Sequence, residues 1–320
     1  MSKQVSLAAI AYGTVCLVWG STYLAIRIGV QEMPPMPFAA CRFLIAGTLM
    51  LIVARLRGRP LPARRSEWLT SIVAGVLLLG AAGLVVWAEQ YVASGVAAII
   101  IGTVSLWMVL FDALIPGSRA QPTWSQGAGL LLGFLGTLLL VGTDLDELRH
   151  ADWRGPIALT LASGIWALGS IWQQRRPPAG GPYVSAAVQM LAGGTALLVV
   201  GMIRGEWSQM SFSWRGVSAL AYLIVFGSMI AFTAYVYMLQ HWPAAMAGTY
   251  VYVNTIVAVL LGWLILAEPI TGRTVLSMAV VLVAVTWVKR GAPRTAEARP
   301  ASRVPVPQAR MTRPSALRLL

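Results

Sequence analysis

Four charged residues stand out because they lie within, or at the ends of, long apolar segments: Arg27, Arg42, Glu89 and Asp112. If such a segment crosses a bilayer, an arginine near its centre costs roughly 2.5 to 3.5 kcal/mol on insertion scales. Charged side chains at that depth therefore face protein or a water-filled cavity. We interpret all four as candidates for a substrate pathway through the membrane.

The first apolar segment carries a polar and aromatic stripe. With 3.6 residues per turn, one helix face collects Tyr12, Cys16, Trp19, Tyr23 and Arg27. A helix surrounded only by lipid has no use for such a face. The stripe is therefore predicted to line a cavity or to contact other helices.

Two interpretations of the outer charges stay open. Arg27 and Glu89 end the first and third apolar segments on the same predicted side, where they either reach the lipid headgroups or form an outer gate or anion-recognising patch. Arg42 lies inside the second segment and so requires a partner. Asp112, near the end of the fourth segment, is either a proton carrier or an interfacial acid that reaches cytoplasmic water or Arg119.

Uncharged polar and aromatic residues at middle depth extend this set. Asn254 lies within the ninth apolar segment, one turn after Tyr250, and its amide requires a partner on another helix or on a ligand. Trp19, Trp107 and Trp166 lie away from the segment ends, unlike tryptophans of an interfacial belt. These three rings are predicted to line a cavity or to pack in the core.

The composition is that of a membrane protein. The 320 residues are 58% hydrophobic and 11% charged, with a mean hydropathy of +0.72, whereas a soluble domain carries roughly 25% charged residues. The net charge of +13 does not indicate nucleic-acid binding, because eight of the 24 basic residues lie in 289–318 and five in 55–65, beside apolar segments. Cys16 and Cys41 lie inside apolar segments, so neither a disulfide framework nor a metal site or cofactor is expected.

The apolar runs predict an all-α polytopic protein with ten transmembrane helices. The predicted spans are 7–28, 36–54, 68–88, 92–115, 124–142, 155–174, 182–203, 216–239, 244–266 and 272–289. With both termini in the cytoplasm, seventeen basic residues lie on the cytoplasmic side and five on the opposite side. The positive-inside rule favours that orientation.

The sequence contains an internal repeat of two units. Trp19 and Arg42 recur as Trp166 and Gln189, each displaced by 147 positions, so we add Gln189 to the candidate pathway residues. Five spans per unit is an odd number, so the second unit, 154–289, enters the membrane upside down relative to the first, 7–143. Inverted repeats meet at a cavity that can open to alternate sides. Residues 291–320 are predicted to be a disordered basic cytoplasmic tail.

Several motifs carry a family resemblance. The run from Val18 to Arg27, the block Ala40–Gly47 and the run from Tyr250 to Trp263 resemble EamA-type members of the drug/metabolite transporter superfamily, most closely the YedA-type branch. The resemblance implies ten helices, an inner-membrane location and export of small metabolites or drugs. The family's glutamate after the fourth helix of each repeat is present only as Glu268, since Ser118 stands at the matching position of the first repeat.

The favoured function is secondary export of small organic molecules, amino acids included. The absence of a Walker motif excludes ATP as the direct energy source and leaves proton coupling, exchange and facilitated diffusion open. A channel, a membrane scaffold and a lipid-acting enzyme are the alternatives. Expected partners are a small-molecule substrate and membrane lipid, without nucleic acid. The chain is a monomer or a homodimer, because the glycine stripe Gly129, Gly133 and Gly136 can pack inside the bundle or against a second copy.

Overall fold

The computed structural model describes residues 3–92, 97, 100–114, 123–141, 152–176, 180–266 and 272–291, and these residues form helices without strands. In chain order the helices are α1 (Lys3–Glu32), α2 (Pro35–Leu56), α3 (Arg65–Ala88), α4 (Val104–Leu114), α5 (Trp124–Val141), α6 (Arg154–Arg175), α7 (Gly181–Ile203), α8 (Trp214–His241), α9 (Tyr250–Leu266) and α10 (Gly272–Gly291). A short 3₁₀ helix, Glu206–Gln209, follows α7, and a one-turn helix, Ala244–Ala247, precedes α9.

Six of these helices are long and apolar enough to cross a bilayer: α1, α2, α3, α6, α7 and α8. They coincide with six of the ten predicted spans. The other four predicted spans contain the shorter helices α4, α5, α9 and α10, and their crossing of the membrane stays a prediction. Residues 292–320 of the predicted tail lie outside the described residues.

Proline and glycine set the connections between neighbouring helices. Pro34 is extended and Pro35 opens α2, so α1 and α2 are joined by a tight turn. Gly180, before α7, and Gly205, after it, have φ angles of 84° and 67°, a left-handed conformation that side chains with a Cβ rarely adopt. Short connections of this kind hold consecutive helices side by side.

The main helix contacts join the two sequence units. Helix α2 packs on α7, α3 packs on α6 and α7, α1 packs on α8 and α9, and α5 packs on α10. Helices α2 and α7 are antiparallel, because Leu44 lies against Gly194 while Leu191 lies against Gly47. Small residues allow these close approaches.

The glycine stripe on α5 faces other helices of the same chain. A Cβ built on Gly129 would lie 2.8 Å from the Val288 side chain of α10, and one on Gly133 would lie 2.8 Å from the Tyr252 ring of α9. At least two of the three stripe glycines therefore serve packing within the bundle.

Helix α8 changes its hydrogen-bonding pattern halfway along. Its first part, Trp214–Tyr222, and its last part, Ala231–His241, are α-helical, whereas Leu223–Ile230 is π-helical. A π turn accommodates an additional residue and so alters which face each later side chain presents. The π-helical segment packs against α1 and α2.

Candidate functional site

A cavity of about 100 Å³ lies in the middle of the bundle, where α1, α2, α3, α4, α6, α8 and α9 meet. This volume is smaller than that of most small-molecule sites, roughly 300 to 1,000 Å³. Six of the eleven residues predicted from the sequence line it: Trp19, Tyr23, Arg42, Trp166, Tyr250 and Asn254. The sequence repeat and the helix stripe therefore converge on one space.

Arg42 is the cation of the cavity wall. Its residue surface is 6% exposed, and its Nε donates a hydrogen bond of 2.8 Å to the Ser228 hydroxyl in the π-helical segment of α8. The guanidinium carbon lies 4.8 Å from the centre of the Phe43 ring. A Cβ on Gly227 would lie 2.8 Å from an Nη atom of Arg42, so the glycine makes room for the guanidinium.

Aromatic rings form another part of the cavity wall. Trp19 lies 5.4 Å from Trp166, 5.1 Å from Tyr235 and 5.2 Å from Tyr250, measured between ring centres. The Trp19 indole donates to the Gly227 carbonyl at 2.9 Å, and the Trp166 indole donates to the Tyr235 hydroxyl at 2.9 Å. Because the indole N–H groups of Trp19 and Trp166 are bonded to protein, these two rings offer apolar faces to a ligand.

The bundle is closed below this aromatic wall. Tyr12 forms a 3.1 Å hydrogen bond with the Thr249 hydroxyl, and its ring lies 5.4 Å from that of Trp242. The Asn254 amide nitrogen, in the orientation that satisfies its hydrogen bonds, donates to the carbonyl oxygens of Tyr250 and Cys16 at 3.1 and 3.0 Å. Asn254 therefore both lines the cavity and bonds α9 to α1.

Asp112 lies at this closed end rather than in the cavity wall. Arg175 of α6 donates to its carboxylate at 2.9 Å and to its carbonyl oxygen at 3.2 Å. Arg119, the partner considered from the sequence, lies outside the described residues. Trp107 packs on Phe111, 5.3 Å between ring centres, and is likewise absent from the cavity lining.

Glu89 and Arg27 lie beyond the opposite end of the cavity. Glu89 follows α3, is 7% exposed, and its carboxylate oxygens have no hydrogen-bond partner among the described residues. Burial raises the pKa of the Glu89 carboxyl to about 8, while the charge of the exposed Arg27 acts in the opposite direction.

Gln189 is buried outside the cavity. Its amide nitrogen donates to the Ser185 hydroxyl on the preceding turn of α7 at 2.7 Å, and its Oε1 has no partner among the described residues. Of the eleven predicted residues, the structure thus gathers six at the cavity and places Arg27 and Glu89 beyond one end. Asp112 lies in an ion pair at the closed end, and Trp107 and Gln189 lie outside the cavity lining.

Sequence reasoning missed the residues of α8 that complete the site: Gly227, Ser228 and Tyr235. A Gly-Ser pair inside an apolar run was a weak signal that side chains approach closely there. The described residues contain no group of three or more His, Cys, Asp or Glu that could hold a metal ion.

The model of the EamA-like transporter family matches residues 6–142 and again 153–290. The chain is 38% identical over 278 residues to the inner membrane transporter YedA of Escherichia coli K12, covering 86% of this chain and 88% of YedA. It is 26% identical over 300 residues to PagO of Salmonella typhimurium LT2, covering 93% and 98% of the two chains.

A solved crystal structure of another protein superposes on this fold with a TM-score of 0.71. The sequences are 21% identical, and the match covers 88% of this chain and 97% of that chain. At this level of identity the likeness concerns the fold alone. The two family matches and the 38% sequence identity to YedA over most of the chain show its family. This chain belongs to the EamA-like transporter family and is a membrane transporter, not an enzyme.

Proposed function

We propose that the chain is an inner-membrane secondary exporter of small organic molecules that works by alternating access through the central cavity. The observation that carries the proposal is a central cavity that combines a buried arginine with aromatic walls. The cavity reaches towards one end of the bundle, and a layer of hydrogen bonds and an ion pair closes the other. The relation to YedA supports the inner-membrane location.

The helix contacts support two inverted units, 7–143 and 154–289. The 147-residue displacement converts Leu44 into Leu191 and Gly47 into Gly194, so the two contacts between α2 and α7 are exchanged with one another. Such reciprocal contacts are typical of two-fold symmetry. The pairs α3–α6 and α1–α8 are related in the same way, and the two separate family matches agree with this division.

The distribution of basic residues supports a cytoplasmic location for both termini. In that orientation the cavity lies on the outer side, and the Asp112–Arg175 ion pair and the Tyr12–Thr249 hydrogen bond close the cytoplasmic side. Both contacts join the first unit to the second. Rocking one unit against the other would break them and admit cytoplasmic substrate to the same cavity.

The test begins with cells that overproduce the chain, screened for resistance to toxic metabolite and amino-acid analogues. The compound that the cells resist is then used in counterflow with purified protein in liposomes. Alternating access predicts saturable counterflow that Arg42→Ala abolishes and that Arg55→Gln, an exposed residue of the same helix, leaves intact. Flux without saturation would identify a channel, and the absence of flux for every compound would identify a scaffold.

A further inference from the structure

The charge of Arg42 has no counter-charge among the residues that the structure describes. Arg175, Arg154 and Arg204 each pair with a carboxylate, although their side chains are 26%, 66% and 46% exposed. Arg42 is far more buried, yet no carboxylate of the described residues lies within 4.0 Å of its nitrogens. A guanidinium does not lose its proton in a protein, so the charge persists in the cavity wall.

The orientation of Arg42 leaves its binding face towards the cavity. Among the described residues its only hydrogen bond uses Nε, which donates to Ser228. The Nη groups therefore have no acceptor in the described part of the chain, and together they form the fork that recognises a carboxylate with two parallel hydrogen bonds. Ser228 fixes the orientation of the fork, and Gly227 leaves room for it.

The rest of the wall is apolar and so favours an organic anion over a small inorganic anion, which would lose its hydration there without a polar partner. Trp19, Trp166 and Tyr250 present ring faces, and Phe232, Leu79 and Ile101 add apolar surface. Arg42 is the one cation among the lining residues, so the wall balances a single negative charge. A cationic ligand would meet uncompensated repulsion at this point.

We propose that the cavity binds organic monoanions, in which a carboxylate occupies the Arg42 fork and an aromatic or branched apolar body lies against the ring faces. The proposed ligand class deepens the proposed transport function, since the bound anion would be the exported substrate. The binding itself can be measured without transport. The proposed ligand class also predicts selection against cationic amphiphiles of the same size.

The test uses three probes of similar shape and different charge: phenylacetate, phenylacetamide and phenethylammonium. Equilibrium dialysis of labelled phenylacetate against the full chain in detergent is repeated with the other two compounds as competitors. We expect unlabelled phenylacetate to compete at least about tenfold more strongly than the amide, the difference that about 1.4 kcal/mol produces, and the ammonium not to compete. Equal competition by the amide or the ammonium would overturn the proposal.

Variants separate the guanidinium from the cavity as a whole. Arg42→Gln is expected to reduce phenylacetate binding at least about tenfold, Arg42→Lys to retain part of it, and the exposed Arg55→Gln to retain all of it. Unchanged binding in folded Arg42→Gln would contradict the proposal. If Arg42→Gln does not fold, two other measurements test the proposal: the preference of the wild type for phenylacetate over the amide and the ammonium, and the phenylacetate binding that Arg42→Lys retains.

The two proposals fail in different ways. Arg42-dependent phenylacetate binding without counterflow of any compound would refute transport and leave the anion site standing. Saturable counterflow of neutral or cationic compounds, with no preference for phenylacetate over phenylacetamide, would refute the anion site and leave transport standing.

Discussion

Arg42 and Gln189 occupy matching positions in the two sequence units, 147 residues apart, but their hydrogen-bond partners and surroundings differ. Arg42 bonds across to α8 and lines the cavity. Gln189 bonds back to Ser185 on its own helix and lies where α7 is packed tightly on α3. A Cβ on Gly75 of α3 would lie 2.3 Å from the Gln189 carbonyl oxygen.

The difference indicates that the contact between α2 and α8 is open, whereas the equivalent contact between α7 and α3 is closed. We call these two contacts the open seam and the closed seam. At the open seam, α2 and the π-helical segment of α8 are bridged by the Arg42–Ser228 hydrogen bond, and the central cavity lies beside it. At the closed seam, where α3 packs on α7 and also on α6, each of the three helices has polar atoms buried without partners among the described residues: Ser71 Oγ on α3, both amide atoms of Gln173 on α6 and Gln189 Oε1 on α7. A buried unsatisfied group of this kind costs roughly 1 to 3 kcal/mol.

The largest expected effect concerns the open seam. Arg42→Ala should abolish transport, because it removes the charge from the cavity wall, whereas Arg27→Ala should cause only a partial loss, because Arg27 is exposed beyond the cavity. The measurement is initial counterflow rate in liposomes at matched protein incorporation. Equal losses for the two variants would remove the distinction between the cavity and its outer rim.

The second prediction tests how tightly the closed seam is packed. Gly75→Ala should lower the unfolding temperature, because its new methyl group would overlap the α7 backbone and overpacking costs roughly 1 to 3 kcal/mol. Gly80→Ala, on the same helix, should leave stability unchanged or raise it, because a Cβ there meets nothing within 4 Å. Similar unfolding temperatures for the two variants would contradict the close contact between α3 and α7.

The third prediction concerns the unsatisfied amide at the closed seam. Gln173→Met should stabilise the protein by about 1 to 3 kcal/mol, because it replaces a buried amide without partners by an apolar chain of similar length. The adjacent Gln174→Met is the matched control and should destabilise, because Gln174 Nε2 donates to the Trp242 carbonyl oxygen at 2.6 Å. Thermal unfolding in detergent measures both changes, and the same sign for both would show that burial of the amide is not the cause.

The smallest expected effect concerns Glu89, beyond the outer end of the cavity. In the folded protein this carboxyl has a pKa of about 8, whereas the ordinary pKa of a glutamate is 4.5. The folded protein therefore keeps the proton up to a higher pH than the unfolded chain does. Between these values the unfolded chain has released the proton and the folded protein has not, so stability should fall as pH rises through this window and level off above it. Glu89→Gln should lack that component of the unfolding-temperature profile; parallel profiles for the two proteins would argue against a buried protonated carboxyl.

The sequence placed Trp19 and Tyr23 on one face of α1, because a 3.6-residue period fixes which side chains share a face, and both line the cavity. The sequence could not predict which helices pack against one another, because the repeat displacement relates positions in the two units without showing which residues are in contact. It therefore did not reveal that Asp112 pairs with Arg175 or that Trp107 packs on Phe111. The contribution of α8 was missed because its π-helical segment, Leu223–Ile230, departs from the α-helical period that sequence patterns assume.

The central claim is that one cavity reaches each side of the membrane in turn. Ala82 lines the cavity and is half-buried, so Ala82→Cys, in a chain with both native cysteines replaced by serine, places a thiol there. A membrane-impermeant maleimide is applied to right-side-out and to inside-out vesicles. Alternating access predicts labelling from both sides while the sealed vesicles exclude the reagent from their lumen; labelling from one side alone would contradict it.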